Sequence, residues 1–170
     1  MQKNIKLFSF VGIGLVLLVV GLLFIPQFVT MWKFTYNGYE VIFASTTRPM
    51  KDYITKNADE ARASAALIIA LIFMLFSVAS LLFHQKSSLL SLFGGLFLAV
   101  SGILFLLTPM WLMIIYNAGR PITVKWLPYV LGGVMLAYGA FLTYLAVMRL
   151  KDEKNALSAP KSHQYSYIKK

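Results

Sequence analysis

Few side chains in this 170-residue sequence have the types and spacing that metal or acid–base chemistry requires. Two histidines are present, His84 and His163, and the absence of cysteine excludes disulfides, thiol chemistry and cysteine-ligated metals. Neither histidine has a second ligand type at a metal-binding spacing. The acidic pair Asp59 and Glu60 is simply explained as negative charge at a helix N-terminus. We therefore expect no catalytic residue, no metal site and no cofactor.

The composition explains why polar chemistry is scarce. The chain is 59% hydrophobic and 13% charged, with a mean hydropathy of +0.72, whereas a soluble domain is roughly 45–50% apolar and about 25% charged. A domain of this size leaves roughly 30% of its unfolded surface exposed, and the polar residues here are too few to cover it. The apolar excess requires lipid. The net charge of +10 then indicates anionic headgroups rather than nucleic acid.

Four uninterrupted apolar stretches dominate the sequence and contain no Asp, Glu, Lys, Arg or His. Their ranges are 7–25, 63–83, 89–108 and 127–148. Each has the length of about 20 residues that a helix needs to cross the bilayer. A cleaved signal peptide is the alternative for the first stretch, but Ile25-Pro26-Gln27 offers no small-residue cleavage site. We predict an all-α membrane protein, a four-helix transmembrane bundle over residues 1–148, with a kink at Pro109.

The distribution of basic residues favours cytoplasmic N- and C-termini. This orientation places nine basic residues inside and seven outside, and four acidic residues in the first outer loop offset the latter. Residues 149–170 are expected to form a basic, disordered cytoplasmic tail, either attracted to anionic lipid headgroups or serving only to fix the orientation. Since the chain has neither cysteine nor an Asn-x-Ser/Thr sequon, a bacterial plasma membrane is favoured.

The first outer loop predicts a small extracytoplasmic β-hairpin over 28–45. Aromatic and β-branched residues flank Asn37-Gly38, the pair that a type I′ turn favours. An isolated hairpin is marginal in water, so its apolar face should cover helix ends, headgroups or a partner protein. A short strand within 122–126 is expected to pair with the hairpin. Strand alternation assigns this candidate interaction surface to Trp32, Phe34, Tyr36, Tyr39, Val41 and Phe43.

Small residues recur at helical spacing on three predicted spans, where they let helices approach closely. The second span has Ala66 and Ala70, the third has Gly95, Ala99 and Gly102, and the fourth has Gly133, Ala137 and Ala140. Packing inside the bundle is one interpretation, and association of copies through one of these faces is the alternative.

Several short features are placed as they are in claudins. These are Pro26 and Trp32, Ala61-Arg62-Ala63, and Pro109, Trp111 and Tyr116-Asn117. With four helices, cytoplasmic termini and a long first outer loop, the arrangement resembles the claudin and peripheral myelin protein superfamily of tetraspan proteins. The Gly-Leu-Trp motif and both loop cysteines of that family are absent, so its disulfide cannot form. The resemblance implies a structural, adhesive or accessory role.

Two functions fit these features. The first is non-enzymatic binding to another membrane protein or to a second copy, through the aromatic surface and the small-residue helix faces. The alternative is a small transporter or channel subunit, although no ionisable side chain lies in a span. The hydroxyls that would line its path are those of Ser77, Ser80, Ser101 and Thr108.

Overall fold

The computed structural model describes residues 2–31, 34–43, 64–83, 87–116 and 122–158, most of which are helical. The helices are α1 (Gln2–Leu22), α2 (Gly38–Phe43), α3 (Ala65–Leu82), α4 (Ser88–Leu106), α5 (Thr108–Tyr116) and α6 (Trp126–Ser158). The strands are β1 (Val29–Met31), β2 (Phe34–Tyr36) and β3 (Ile122–Val124).

Three helices of the described residues are long and apolar enough to cross a membrane. They are α3, α4 and the Trp126–Asn155 portion of α6, which contain 18-residue stretches with mean hydropathies of 2.8, 2.4 and 1.9, respectively. The apolar stretch of α1, Lys6–Leu22, is shorter. Length and composition thus support a membrane protein, and they identify three of the four predicted spans.

Helix α4 lies between α3 and α6, and α1 packs against α3 and α6. Ser64 caps the start of α3 by accepting a hydrogen bond from the Leu67 amide, and Ser87 caps α4 through the Leu89 amide. Many large apolar side chains remain exposed on all four long helices, for example Leu17, Leu75 and Tyr144. That surface is what a lipid environment requires.

The three strands form one antiparallel sheet in the order β2-β1-β3. Val29 pairs with Tyr36 on one side and with Val124 on the other, so the predicted strand within 122–126 does join the hairpin. The sheet closes the end of the bundle at which α1 ends and α6 begins. Phe28, next to β1, is fully buried and contacts Phe105 of α4 edge to face.

The predicted position of the hairpin turn is wrong. The two strands are joined between Met31 and Phe34, and Gly38–Phe43 forms helix α2 instead of a second strand. Asn37 Oδ1 accepts from the Glu40 amide at 2.8 Å, while Glu40 Oε2 accepts from the Asn37 amide at 3.0 Å. This reciprocal pair is a capping box, which starts a helix. Asn37-Gly38 is therefore a helix start and not a type I′ turn.

Two helix ends also differ from the sequence-based prediction. Helix α1 ends at Leu22, whereas the sequence predicts that the first span reaches residue 25. Helix α6 continues to Ser158, so residues 149–158 are helical instead of disordered. The remaining tail residues, 159–170, lie outside the described ranges. Helix α4 ends at Leu106 and α5 begins at Thr108, beside the predicted kink at Pro109. The Thr108 hydroxyl donates to the Phe105 carbonyl, which a proline at residue 109 leaves without its helical partner.

Candidate interaction surface

The structure divides the six residues predicted to share one aromatic face. Tyr36 and Val41 are buried in the core and cannot contact a partner. Tyr39 and Phe43 are exposed, since a separation of four residues puts both on the same side of helix α2. Trp32 lies outside the described residues, and Phe34 begins β2. The strand alternation fails because residues 38–43 are helical.

Tyr39 and Phe43 form an exposed cluster with Phe24, a residue that the sequence pattern does not single out. The Phe24 and Tyr39 rings stack with centroids 5.8 Å apart and an interplanar angle of 18°. The Tyr39 and Phe43 centroids are 5.0 Å apart. We call these three residues the outer aromatic cluster, after the side of the membrane that the sequence predicts for this loop. Only the folded chain brings Phe24 to α2, so the sequence offers no local signal for it.

The backbone fixes α2 against the end of α1. The Gly38 and Tyr39 amides donate to the Leu23 carbonyl at 2.7 and 3.3 Å, which satisfies donors that a helix start leaves unpaired. A Cβ at Gly38 would lie 2.6 Å from Leu23 Cδ2, so a glycine permits this close approach. On the opposite side of α2, Ile42 is fully buried, and its carbonyl accepts from the Ser64 amide at 3.2 Å. The outer aromatic cluster therefore has a fixed position.

Three of the four hydroxyls proposed to line a solute path are used in backbone hydrogen bonds. Ser77 Oγ donates to the Gly94 carbonyl at 2.7 Å, and Ser101 Oγ donates to the Ala70 carbonyl at 2.9 Å. Both bonds join α3 to α4. Thr108 Oγ1 donates to the Phe105 carbonyl three residues earlier, and Ser80 is partly buried. Ser77 and Ser101 thus hold two helices together, and bonds of this kind do not favour a polar path.

The small residues of α4 lie where the sequence predicts contact with another helix. A Cβ at Gly102 would be 2.5 Å from the Leu136 amide nitrogen, and one at Gly95 would be 2.6 Å from Thr143 Oγ1. The backbone of Ala99 contacts Gly139 of α6. On α3, Ala70 is fully buried and accepts the Ser101 bond, whereas Ala66 is only partly buried. Helices α4 and α6 thus meet almost backbone to backbone.

The α6 side of this contact is not the predicted one. Gly132 and Gly139 face α4, whereas Gly133 faces open space and Ala137 is exposed. Gly132 and Gly139 are seven residues apart, as are Gly95 and Gly102 on α4. This shared spacing is the signal that could have found the correct face. Within the described ranges, no helix covers the face formed by Gly133, Ala137 and Ala140.

A polar contact joins α4 and α6 at the end opposite the sheet. Ser88 Oγ donates to Glu153 Oε1 at 2.5 Å, and Arg149 Nε donates to the same oxygen at 3.0 Å. Glu153 thus lies at the start of α4, where a negative charge is favourable. Across the described ranges, no group of three or more His, Cys, Asp or Glu side chains is placed to hold a metal ion.

No protein-family model matches the chain, and no curated protein or solved structure matches it significantly. The resemblance to claudins therefore rests on the sequence arrangement alone.

Proposed function

We propose that this chain is a non-enzymatic four-span protein of the bacterial plasma membrane, with both termini in the cytoplasm. It acts structurally or as an accessory subunit, by lateral contact with another membrane protein or a second copy. This proposal keeps the claudin-like arrangement of four spans. It counts α1 as a span in addition to α3, α4 and α6. Anionic headgroups beside the basic residues of 149–170 are a further partner in the proposal.

The length and packing of α1 support its role as a span. Its apolar portion, Lys6–Leu22, extends about 26 Å at 1.5 Å per residue, which is at the short end of the range of about 17–25 residues for spanning helices. Val16, Val19 and Leu23 are buried against the other helices, while Leu7 and Phe10 are exposed. One face in the core and one available to lipid is the pattern of a helix at the edge of a membrane bundle. A cleaved segment would leave that core incomplete.

The observation that carries the proposal is that α6 has two small-residue faces and that, among the described residues, one of them contacts another helix. Gly132 and Gly139 contact α4, whereas Gly133 has nothing within 4 Å of its Cβ position. In lipid no hydrophobic effect drives helices together, and small residues promote association by allowing close approach. We call Gly133, Ala137 and Ala140 the free α6 face. A helix from a neighbouring protein would pack there without disturbing the bundle.

Photo-crosslinking in membranes tests this proposal. A photoreactive side chain at Ala137 is expected to give a defined adduct, which mass spectrometry identifies as a second copy or another membrane protein. Gly133→Leu should remove that adduct by filling the free α6 face. The matched control is Val134→Leu, which adds bulk to a neighbouring exposed position and should leave the adduct unchanged.

A second photoreactive position, Leu75, reports random collisions because it is exposed on α3. Recovery of monomer alone from Ala137, or equal adducts from Leu75 and Ala137, would contradict the proposed function.

A further inference from the structure

We propose that α2 is an interfacial anchor whose outer aromatic cluster inserts into the headgroup region of the outer leaflet. The occupant of this surface is then lipid and not a partner protein. The inference rests on the four-span arrangement proposed above, but it does not depend on the free α6 face.

The position of α2 along the membrane normal follows from its attachment to α1. The Leu23 carbonyl, one residue beyond α1, accepts from both the Gly38 and Tyr39 amides. The start of α2 is therefore level with the end of a spanning helix. The interfacial layer there is roughly 5–8 Å thick on each side of the hydrocarbon core, which is enough to receive aromatic rings.

The outer aromatic cluster is continuous with the lipid-facing side of α1. Exposed apolar residues run along that side through Leu17 and Leu18 to Phe24, which stacks on Tyr39. Among the described residues, no polar side chain interrupts the surface between Phe24 and Tyr39, because the two rings stack directly on each other. A lipid leaflet that covers Leu17 and Phe24 would therefore also reach Tyr39.

Other exposed aromatic residues lie at the same end of the bundle. Trp126 and Tyr129 occupy the first turn of α6 and are both exposed. That turn is level with the sheet, because the Lys125 amide donates to the Phe28 carbonyl at 2.9 Å. Trp and Tyr concentrate at membrane interfaces, where the ring is partly in lipid and the polar atom is in water. The outer aromatic cluster extends this arrangement to the α1 side.

The exposed area also favours lipid over a protein. Phe24 is 61% exposed, and Tyr39 and Phe43 are each 45% exposed. Aromatic residues bury about 150–250 Å² each when covered, so these three half-exposed residues offer roughly 200–400 Å². A stable protein interface needs about 800 Å² from each partner. The cluster is too small for that, whereas a bilayer requires no minimum area.

Depth-dependent fluorescence quenching tests the anchor, and the natural absence of cysteine allows single-cysteine labelling without background. Full-length protein carrying Phe43→Cys is labelled with an environment-sensitive dye and reconstituted in vesicles of zwitterionic and anionic lipids. We expect loss of fluorescence with lipids that carry a quencher near the headgroup, less loss with quenchers deep in the acyl chains, and little loss with aqueous iodide.

Two control positions calibrate the depth. Leu17→Cys, midway along the exposed side of α1, should respond most to deep quenchers. Thr35→Cys, exposed on β2, should respond to iodide. A label at Phe43 that behaves like the one at Thr35 overturns the anchor. So does a label shielded from both iodide and lipid quenchers, since a second copy would then cover it. Neither result would alter the Ala137 crosslink, so the two proposals fail separately.

Discussion

At the residue scale, polar groups inside the bundle act as links between helices. Ser77 and Ser101 join α3 to α4, and the Tyr138 hydroxyl donates to the Phe8 carbonyl of α1 at 2.8 Å. Ser9 differs, because its hydroxyl is buried and has no hydrogen-bond partner in the part of the chain that the structure describes. Buried serines thus contribute differently to stability, because Ser77 and Ser101 donate to a carbonyl of another helix and Ser9 does not.

Replacing these two serines by alanine should change stability in opposite directions. Ser101→Ala removes an interhelical hydrogen bond, which in membranes stabilises by about 0.6 kcal/mol on average. Ser9→Ala removes a buried hydroxyl without a partner, so the free energy of unfolding should rise by about 1 kcal/mol. Unfolding of the two variants in bicelles, followed by circular dichroism, measures both effects. Equal destabilisation by the two substitutions would contradict the assigned roles.

Two glycines on neighbouring helices provide a second comparison. A methyl group at Gly102 would lie 2.5 Å from the Leu136 amide nitrogen, whereas one at Gly133 meets nothing within 4 Å. Gly102→Ala should therefore lower the free energy of unfolding by about 1–3 kcal/mol, the usual effect of overpacking.

Gly133→Ala serves as the control, because it adds the same group to a helix and improves helix propensity. The same unfolding assay should show no loss for this variant. If Gly102→Ala were as stable as the parent, α4 and α6 would be farther apart than the structure shows.

At the element scale, hydropathy located the long helices, but it could not determine how they end or which sides meet. Asn37-Gly38 suits a hairpin turn, yet Glu40 three residues after Asn37 is also the pattern of a capping box. Tertiary burial of Val41 and Ile42 decides for the helix. The pair Gly132-Gly133 is ambiguous in the same way. Adjacent residues lie on different sides of a helix, and only the position of α4 determines that Gly132 is at the contact.

Loss of the capping box should loosen α2 without unfolding the bundle. Asn37→Ala removes the acceptor for the Glu40 amide, and such a change typically costs about 1 kcal/mol. Hydrogen exchange should therefore become faster at the amides of Gly38–Phe43 and remain unchanged in α4. Thr35→Ala, an exposed change on the neighbouring strand, is the control. Unchanged exchange in α2 would mean that packing of Val41 and Ile42 alone holds the helix.

At the scale of the whole molecule, the two ends of the bundle have different contents. One end holds the sheet, α2 and exposed aromatic residues, and the other holds the Ser88, Arg149 and Glu153 contact. Three spanning helices and the basic tail could be inferred from composition, but the extension of α6 could not. It follows from the absence of a helix breaker before Ser158 and from the hydrogen bond that ties Glu153 to α4.

Accessibility of single cysteines should show these two ends on opposite sides of the membrane. Thr123→Cys lies on β3 and Lys154→Cys on the last turns of α6, and both parent residues are exposed. Because basic residues are retained in the cytoplasm, a membrane-impermeant maleimide should label Thr123→Cys in intact cells. It should label Lys154→Cys only after permeabilisation, and the parent chain without cysteine should give no signal. If Lys154→Cys were labelled in intact cells and Thr123→Cys only after permeabilisation, the orientation would be the reverse of the predicted one. Labelling of both positions in intact cells would contradict a bundle in which α6 crosses the membrane.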